Sequence, residues 1–129
     1  MLDTNICIFV MTGRGASLTA RFEAEGTQLC MSSVTLAELS YGVEKSAART
    51  RNQEALAAFA ARLEVIDFDS GAAVAYGVLR AGLERAGTVI GPYDMMIAAH
   101  ALSRRVAVVT NNRREFGRVE GLVVEDWSV

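Results

Sequence analysis

The chain is poor in the side chains from which many catalytic and structural sites are made: one histidine, His100, two cysteines, Cys7 and Cys30, one lysine, Lys45, and one proline, Pro92. One imidazole and two thiols cannot supply the four ligands of a structural zinc site, and two cysteines are too few for a disulfide scaffold. Both thiols are therefore expected buried and reduced. A lone histidine gives little support to a Ser-His-Asp triad or to paired-histidine acid–base chemistry. No G-x-G-x-x-G or G-x-x-x-x-G-K-[ST] loop is present, Gly13-Arg14-Gly15 being too short to count, which removes the nucleotide cradles built on those loops. Long hydrophobic runs are missing too. The stretch from Ile6 to Met11 is too short to span a bilayer and follows Asp3 rather than a basic segment, so neither membrane span nor signal peptide is expected, and the expected location is the cytoplasm.

Charge of one sign is also lacking. Thirteen basic and fifteen acidic residues leave a net charge of -2, so no strongly basic field covers the molecule and a nucleic-acid partner has to be held by local clusters. All the basic residues but Lys45 are arginine, the better side chain for planar, bidentate phosphate contacts, although a GC-rich genome produces the same bias.

Hydrophobic side chains, by contrast, make up 51% of the 129 residues, enough for one domain spanning 1–129 with a core of its own. No repeat, low-complexity tract or Pro/Ser-rich linker divides it. Short β-branched runs at 63–69 (LEVIDFD), 105–110 (RVAVVT) and 121–125 (GLVVE) have the look of buried parallel strands, with 27–33 (TQLCMSS) a weaker fourth and the first residues, MLDT, a fifth. Between them lie helical patterns. Leu56, Phe59, Ala60 and Leu63 fall at i, i+3, i+4, i+7, as do Met95, Ala98, Ala99 and Leu102 after Pro92, and Val74, Val78 and Ala81 repeat the spacing after a cap at Asp69 or Ser70. Strands separated by such helices predict an α/β sandwich, a parallel sheet of about five strands with helices on both faces.

In open parallel sheets the functional crevice lies beyond the carboxyl ends of the strands, where helix N-termini gather. Asp3 closes the first strand, Glu38 lies in the first turn or two of the helix after the second, Asp94 begins the helix before 105–110, and Thr110, Asn111 and Asn112 follow that strand. Each has a structural alternative. Asp3 suits a cap on a helix starting around Ile6, Thr35 and Glu38 match a reciprocal capping box, Asn112 is an ordinary turn residue, and Asp94 suits the positive end of a helix dipole. Together these alternatives weaken, because carboxylates ~5 Å apart repel by roughly 3 kcal/mol per pair at an effective dielectric near 20. Oxygen-only ligands select hard ions such as magnesium or manganese, and an ion so held suits phosphodiester hydrolysis. His100, ~two helical turns beyond Asp94, is expected to be a core or surface residue rather than part of this rim, and Trp127 to anchor the C-terminal tail.

The segments MLDTN (1–5), SSVTLAEL (32–39) with YGVEKS (41–46), GPYDMMIAAHA (91–101) and VVTNNRREFGRVEGLVVEDW (108–127) resemble the PIN-domain ribonucleases, and more narrowly the VapC toxins of bacterial toxin-antitoxin pairs. The resemblance covers essentially the whole chain. It implies a PIN-like three-layer sandwich in which Asp3, Glu38 and Asp94 occupy the acidic positions that bind magnesium or manganese. The fourth position, Asp in many relatives, matches Asn112, a neutral and weaker ligand, with Thr110 as hydrogen-bonding partner, Phe116 as packing residue and Glu115 within reach of the site. It further implies a homodimer, a VapB-type antitoxin whose C-terminal segment covers the groove and forms a higher hetero-oligomer with the toxin, and a structured RNA substrate. In relatives with this wording the substrate is transfer RNA, the initiator cut in its anticodon loop being the best match, with translation and growth stopped as a result. Arg113, Arg114 and Arg118 are the candidates for RNA phosphate contacts. A Rossmann-like phosphohydrolase is the rival reading, but Asn5 stands where it would place a second Asp, and an RNA-binding PIN domain with weak catalysis sits poorly with three intact acids.

Overall fold

Met1, Leu2 and Asp3 are buried because the first residues of the chain form the middle of the sheet. In the computed structural model, which describes residues 1–127, the Met1 ammonium donates to Ala107 O at 2.7 Å, and Val109 N donates to Met1 O at 2.8 Å. Asp3 N then donates to Val109 O at 3.0 Å, and on the other side Leu2 N donates to Cys30 O at 2.8 Å. This segment therefore joins two parallel strand pairs. One is β1 (Cys30–Ser32) with β2 (Glu64–Ile66), and the other is β3 (Val108–Val109) with β4 (Val124–Glu125). All neighbouring pairs are parallel, including the bridge of Leu2 to Val109. Four of the five expected strands are present in the expected places, much shorter than the runs around them, and the fifth, at MLDT, is reduced to the single bridge at Leu2 with its flanking hydrogen bonds.

Successive strand residues point to opposite faces, and the core divides accordingly. Met1, Cys30, Ile66 and Val108 belong to one apolar cluster, while Leu2, Met31, Val109 and the partly buried Val65 belong to the other. The first is covered by α5 (Ser70–Ala86), α6 (Pro92–Arg104) and α7 (Arg113–Phe116), through Leu79, Leu83, Ile97, Ala98 and Phe116. The second is covered by α1 (Thr4–Met11), α2 (Ala16–Glu25), α3 (Ser33–Glu44) and α4 (Arg49–Ala60), with Trp127 closing its edge. The result is a three-layer α/β/α sandwich. Cys7 and Cys30 are free and buried. Trp127 is buried in the second cluster, with Arg21 over its ring at 4.8 Å, and the last two residues of the expected anchored tail lie outside the described residues. Among the described residues no helix is long and apolar enough to cross a membrane.

Several local expectations are corrected. The first helix begins at Thr4, two residues before Ile6, with Asp3 as its N-cap. Thr35 caps nothing: Ser32 is the N-cap of α3, its Oγ accepting from Val34 N at 3.0 Å, so Thr35 and Glu38 do not form a capping box. Helix α4 ends at Ala60, leaving Leu63 outside it. Helix α5 is capped by Asp69, which accepts from Ala72 N at 3.0 Å, but it turns Ala72, Leu79 and Leu83 inward. Val74 and Val78 stand 71% and 72% exposed on the opposite side.

Candidate active site

The chain's first carboxylate has been taken out of water. Asp3 is 3% exposed, and both its oxygens are held: Oδ1 accepts from Ile6 N at 2.9 Å as the cap of α1, and Oδ2 accepts a short hydrogen bond from the buried Thr110 hydroxyl. Burial raises the Asp3 pKa, the Thr110 and Ile6 donors pull it down, and the nearby Glu38 charge raises it again. The capping role and the membership of an acidic cluster are thus carried by one side chain. Thr110 also accepts from Asn112 N at 2.9 Å, fixing the turn that leaves β3.

Glu38 sits in the second turn of α3. Its Oε1 accepts from Thr4 Oγ1 at 2.6 Å, and the same hydroxyl lies 3.2 Å from that of buried Thr35. Thr4, adjacent to Asp3, orients Glu38 from the start of α1, a role invisible in the sequence because the two residues are joined only through the fold.

Asp94 occupies the first turn of α6, after Pro92 at the first helical position and Gly91, where a Cβ would lie 3.4 Å from the Asp94 carboxylate. A helix N-terminus alone stabilises the charged form and lowers a carboxyl pKa. Here the pKa is instead pushed up to about 7, by burial first, then by a hydrogen bond to Glu115 and the charges of Glu115, Asp3 and Glu38. Burial and the neighbouring acids together outweigh the dipole. Glu115 reaches this position because Asn112 holds it. Asn112 caps α7, its Nδ2 donating to Glu115 Oε2 at 2.9 Å and its Oδ1 accepting from Glu115 N at 3.4 Å. Gly117 closes α7 where a Cβ would fall 2.5 Å from Arg113 O, closer than a side chain can approach backbone.

A family model for the PIN domain matches residues 1–122. The tRNA(fMet)-specific endonuclease VapC of Salmonella typhimurium is 51% identical over 127 residues, covering 98% of this chain and 96% of that one. Ribonuclease VapC2 of Rickettsia felis is 43% identical over 129 residues, covering 98% and 96%. The chain belongs to the PIN-domain family, among the VapC ribonucleases. Its PIN fold superposes on the DNA-bound VapBC complex of Salmonella typhimurium with a TM-score of 0.95, at 51% identity over 98% of this chain and 96% of that one. For VapBC2 of Rickettsia felis, bound to a DNA fragment from its promoter, the TM-score is 0.92 at 41% identity over 98% and 97%.

In this PIN domain the four carboxylates of Asp3, Glu38, Asp94 and Glu115 share one electrostatic environment, through their effects on Asp94. Among the described residues, however, no three His, Cys, Asp or Glu side chains are already closed to the spacing of a metal cage. The donor set is all oxygen, carries an excess of negative charge, and has one acid raised to near neutral pH, which suits a hard ion that takes one or two carboxylates and fills its other positions with water or phosphate oxygens.

His100 lies outside the rim. It is buried in α6, its Nδ1 2.8 Å from Ser32 Oγ, so it braces the cap of α3, and burial lowers its pKa. The three arginines are exposed on or just after α7. Arg113 Nε lies 3.9 Å from Asp126, and Arg118 donates to Val89 O at 3.1 Å.

Proposed function

We propose that this chain is a metal-dependent endoribonuclease, the toxin of a type II toxin-antitoxin pair, and that it cuts structured RNA, with the anticodon loop of initiator transfer RNA as its target. The observation that carries the reading is Asp94, a half-buried carboxyl whose pKa is pushed up to about 7 by burial first and then by Glu115, Asp3 and Glu38 gathered around it. Four acids gathered on one edge destabilise a protein unless positive charge joins them. Relatives named as tRNA(fMet)-specific endonucleases support the substrate.

Asp3, Asp94 and Glu38 would hold magnesium or manganese, whose chemistry is activation of water and neutralisation of charge on the phosphate. Asp3 cannot swing, because Ile6 N–H and the Thr110 hydroxyl fix both its oxygens. Thr4 points Glu38, and Asn112 acts on the site through Glu115, which stands as the fourth acid. Arg113, Arg114 and Arg118 are offered as phosphate contacts. His100, committed to Ser32, is not placed to deprotonate an RNA 2′-hydroxyl, so water is the nucleophile and the products carry a 5′-phosphate and a 3′-hydroxyl.

The relatives crystallised as VapBC complexes support a VapB-type partner. An apolar cleft of about 290 Å³ beside Glu38, walled by Ile8, Met11, Leu39 and Val43, fits the antitoxin's C-terminal segment, with a basic side chain reaching the acids. A homodimer completes the assembly.

The deciding experiment incubates the purified protein with initiator and elongator transfer RNAs and magnesium or manganese, with EDTA and Asp94→Asn as controls. Cleavage confined to the initiator, lost in both controls, and ligatable 5′-phosphate ends are expected. Undiminished cleavage in EDTA, or a 5′-hydroxyl with a cyclic phosphate, overturns the mechanism.

A further inference from the structure

Most of the aromatic rings of this protein are buried or partly buried, yet Tyr41 and Tyr93 are 66% and 56% exposed. Both line the same cleft, of about 360 Å³, together with Ala37 and Glu38. That size falls within the about 300–1,000 Å³ of small-ligand sites. The placement relative to the acids is rigid. Tyr41 stands three residues after Glu38 on α3, on the neighbouring position of one helix face, and Tyr93 immediately precedes Asp94 in the first turn of α6, behind Pro92. Among the described residues neither hydroxyl has a hydrogen-bond partner in the protein, so no internal hydrogen bond ties down either ring's outer end. Lys45, the chain's single lysine, sits over the Tyr41 ring with Nζ 5.1 Å from its centre.

A ribonuclease with an acidic rim and a net charge of -2 has a particular difficulty. The acids that suit a cation repel the phosphates they must approach, and there is no broad basic field to offset this. A handle on RNA that does not depend on its charge is the flat face of an unpaired base, which stacks on an exposed aromatic ring whatever its sequence. We propose that Tyr41 and Tyr93 form a stacking site for one or two unpaired nucleobases beside the scissile phosphate, which places the cut in single-stranded segments; this rests on the ribonuclease reading above. Lys45, over the Tyr41 ring, supplies a cation beside the site for the phosphate of the stacked nucleotide.

The test uses hairpin RNAs with 2-aminopurine at each loop position in turn, bound to the full-length protein in EDTA so that nothing is cut, alongside cleavage of the same hairpins in magnesium or manganese. Stacking predicts fluorescence quenching at one or two loop positions. Tyr41→Ala and Tyr93→Ala should each weaken hairpin binding by about five-fold to a hundred-fold and remove the quenching. Tyr41→Phe and Tyr93→Phe should keep both, and a fully paired duplex should bind the wild type and all four variants alike. Hairpins that are bound and cut without quenching at any position overturn the stacking site and leave the ribonuclease reading standing, as do Phe variants that lose as much as the Ala variants. Ala variants that change the sedimenting mass of the protein while quenching persists also overturn it, the rings then serving contacts between copies. Absence of both binding and cleavage by the wild type sinks the two readings together.

Discussion

At the scale of single residues, the protonation of Asp94 couples the site to the stability of the fold. Its pKa is raised from the ordinary 3.8 to about 7, so between those values the folded state binds more protons than the unfolded one. The contribution of this group to stability is complete below about pH 4, falls as the pH rises, and is gone above about pH 7. The metal-free protein should lose resistance to urea between pH 5 and pH 8, and Asp94→Asn, which removes the charge and keeps the shape, should flatten that dependence and be the more stable protein at pH 8. Denaturation midpoints at the two pH values, with EDTA present, check this; a wild type and variant with parallel pH profiles would show that Asp94 is not the titrating group. Asp3, Glu38 and Asp94 are legible in the sequence because strand ends and helix starts converge on one edge of any parallel sheet. Thr4 and Ser32 are not legible as positioning residues, since what each does depends on a partner, Glu38 or His100, distant in sequence and brought alongside only by folding. The Asn112–Glu115 pair is a local Asn-x-x-Glu cap, and what the sequence does not show is that it turns Glu115 toward Asp94.

At the scale of elements, the clearest misreading is α5. Ala73, Val74, Ala75, Val78, Leu79 and Ala81 are apolar nearly all the way round the helix, so spacing alone selects Val74–Val78–Ala81 as readily as Ala72–Leu79–Leu83. What decides is the volume available against α6, where the large side chains Leu79 and Leu83 meet Met95 and Ile97 in one cluster. Leu79→Ala should therefore cost about 2–5 kcal/mol of stability, whereas Val78→Ala should stay within about 0.5 kcal/mol in the monomer. Chemical denaturation of the two variants measures the difference, and equal losses would reverse the assignment of the two faces. The short strands have a related cause: the β-branched runs mark where the sheet passes, but hydrogen-bond pairing lasts only two or three residues before helices with their own caps take over.

At the scale of the whole molecule, the acids on the sheet's edge are expected to couple the stability of the fold to its ionic surroundings. If magnesium or manganese binds the native rim and not the unfolded chain, saturation at a hundred times the dissociation constant adds about 2.7 kcal/mol. The melting temperature should rise with either ion, and the rise should vanish in Asp3→Ala. An unchanged melting temperature for the wild type in millimolar ion would argue against the rim as a cation site. The order of elements and the three layers could be read ahead because alternating strand and helix patterns admit few right-handed topologies.

The hydrogen bond from Thr110 to Asp3 joins residues 107 positions apart. At about 5–20 residues synthesised per second, Asp3 waits roughly 5–20 s on the ribosome before its partner exists. Throughout that interval Leu2 and Met1 have no β3 to pair with, and the contacts that fix the acid rim cannot form. Such long-range pairing folds slowly once it becomes possible. A nascent or prematurely ended chain lacks β3 and Thr110 and cannot fix the Asp3 carboxylate. Expression of residues 1–104 alone is therefore expected to leave growth unaffected where the full chain arrests it, and equal arrest by both would show that the completed rim is not required. For several seconds before it is competent to cut, each copy is thus exposed to any partner already present.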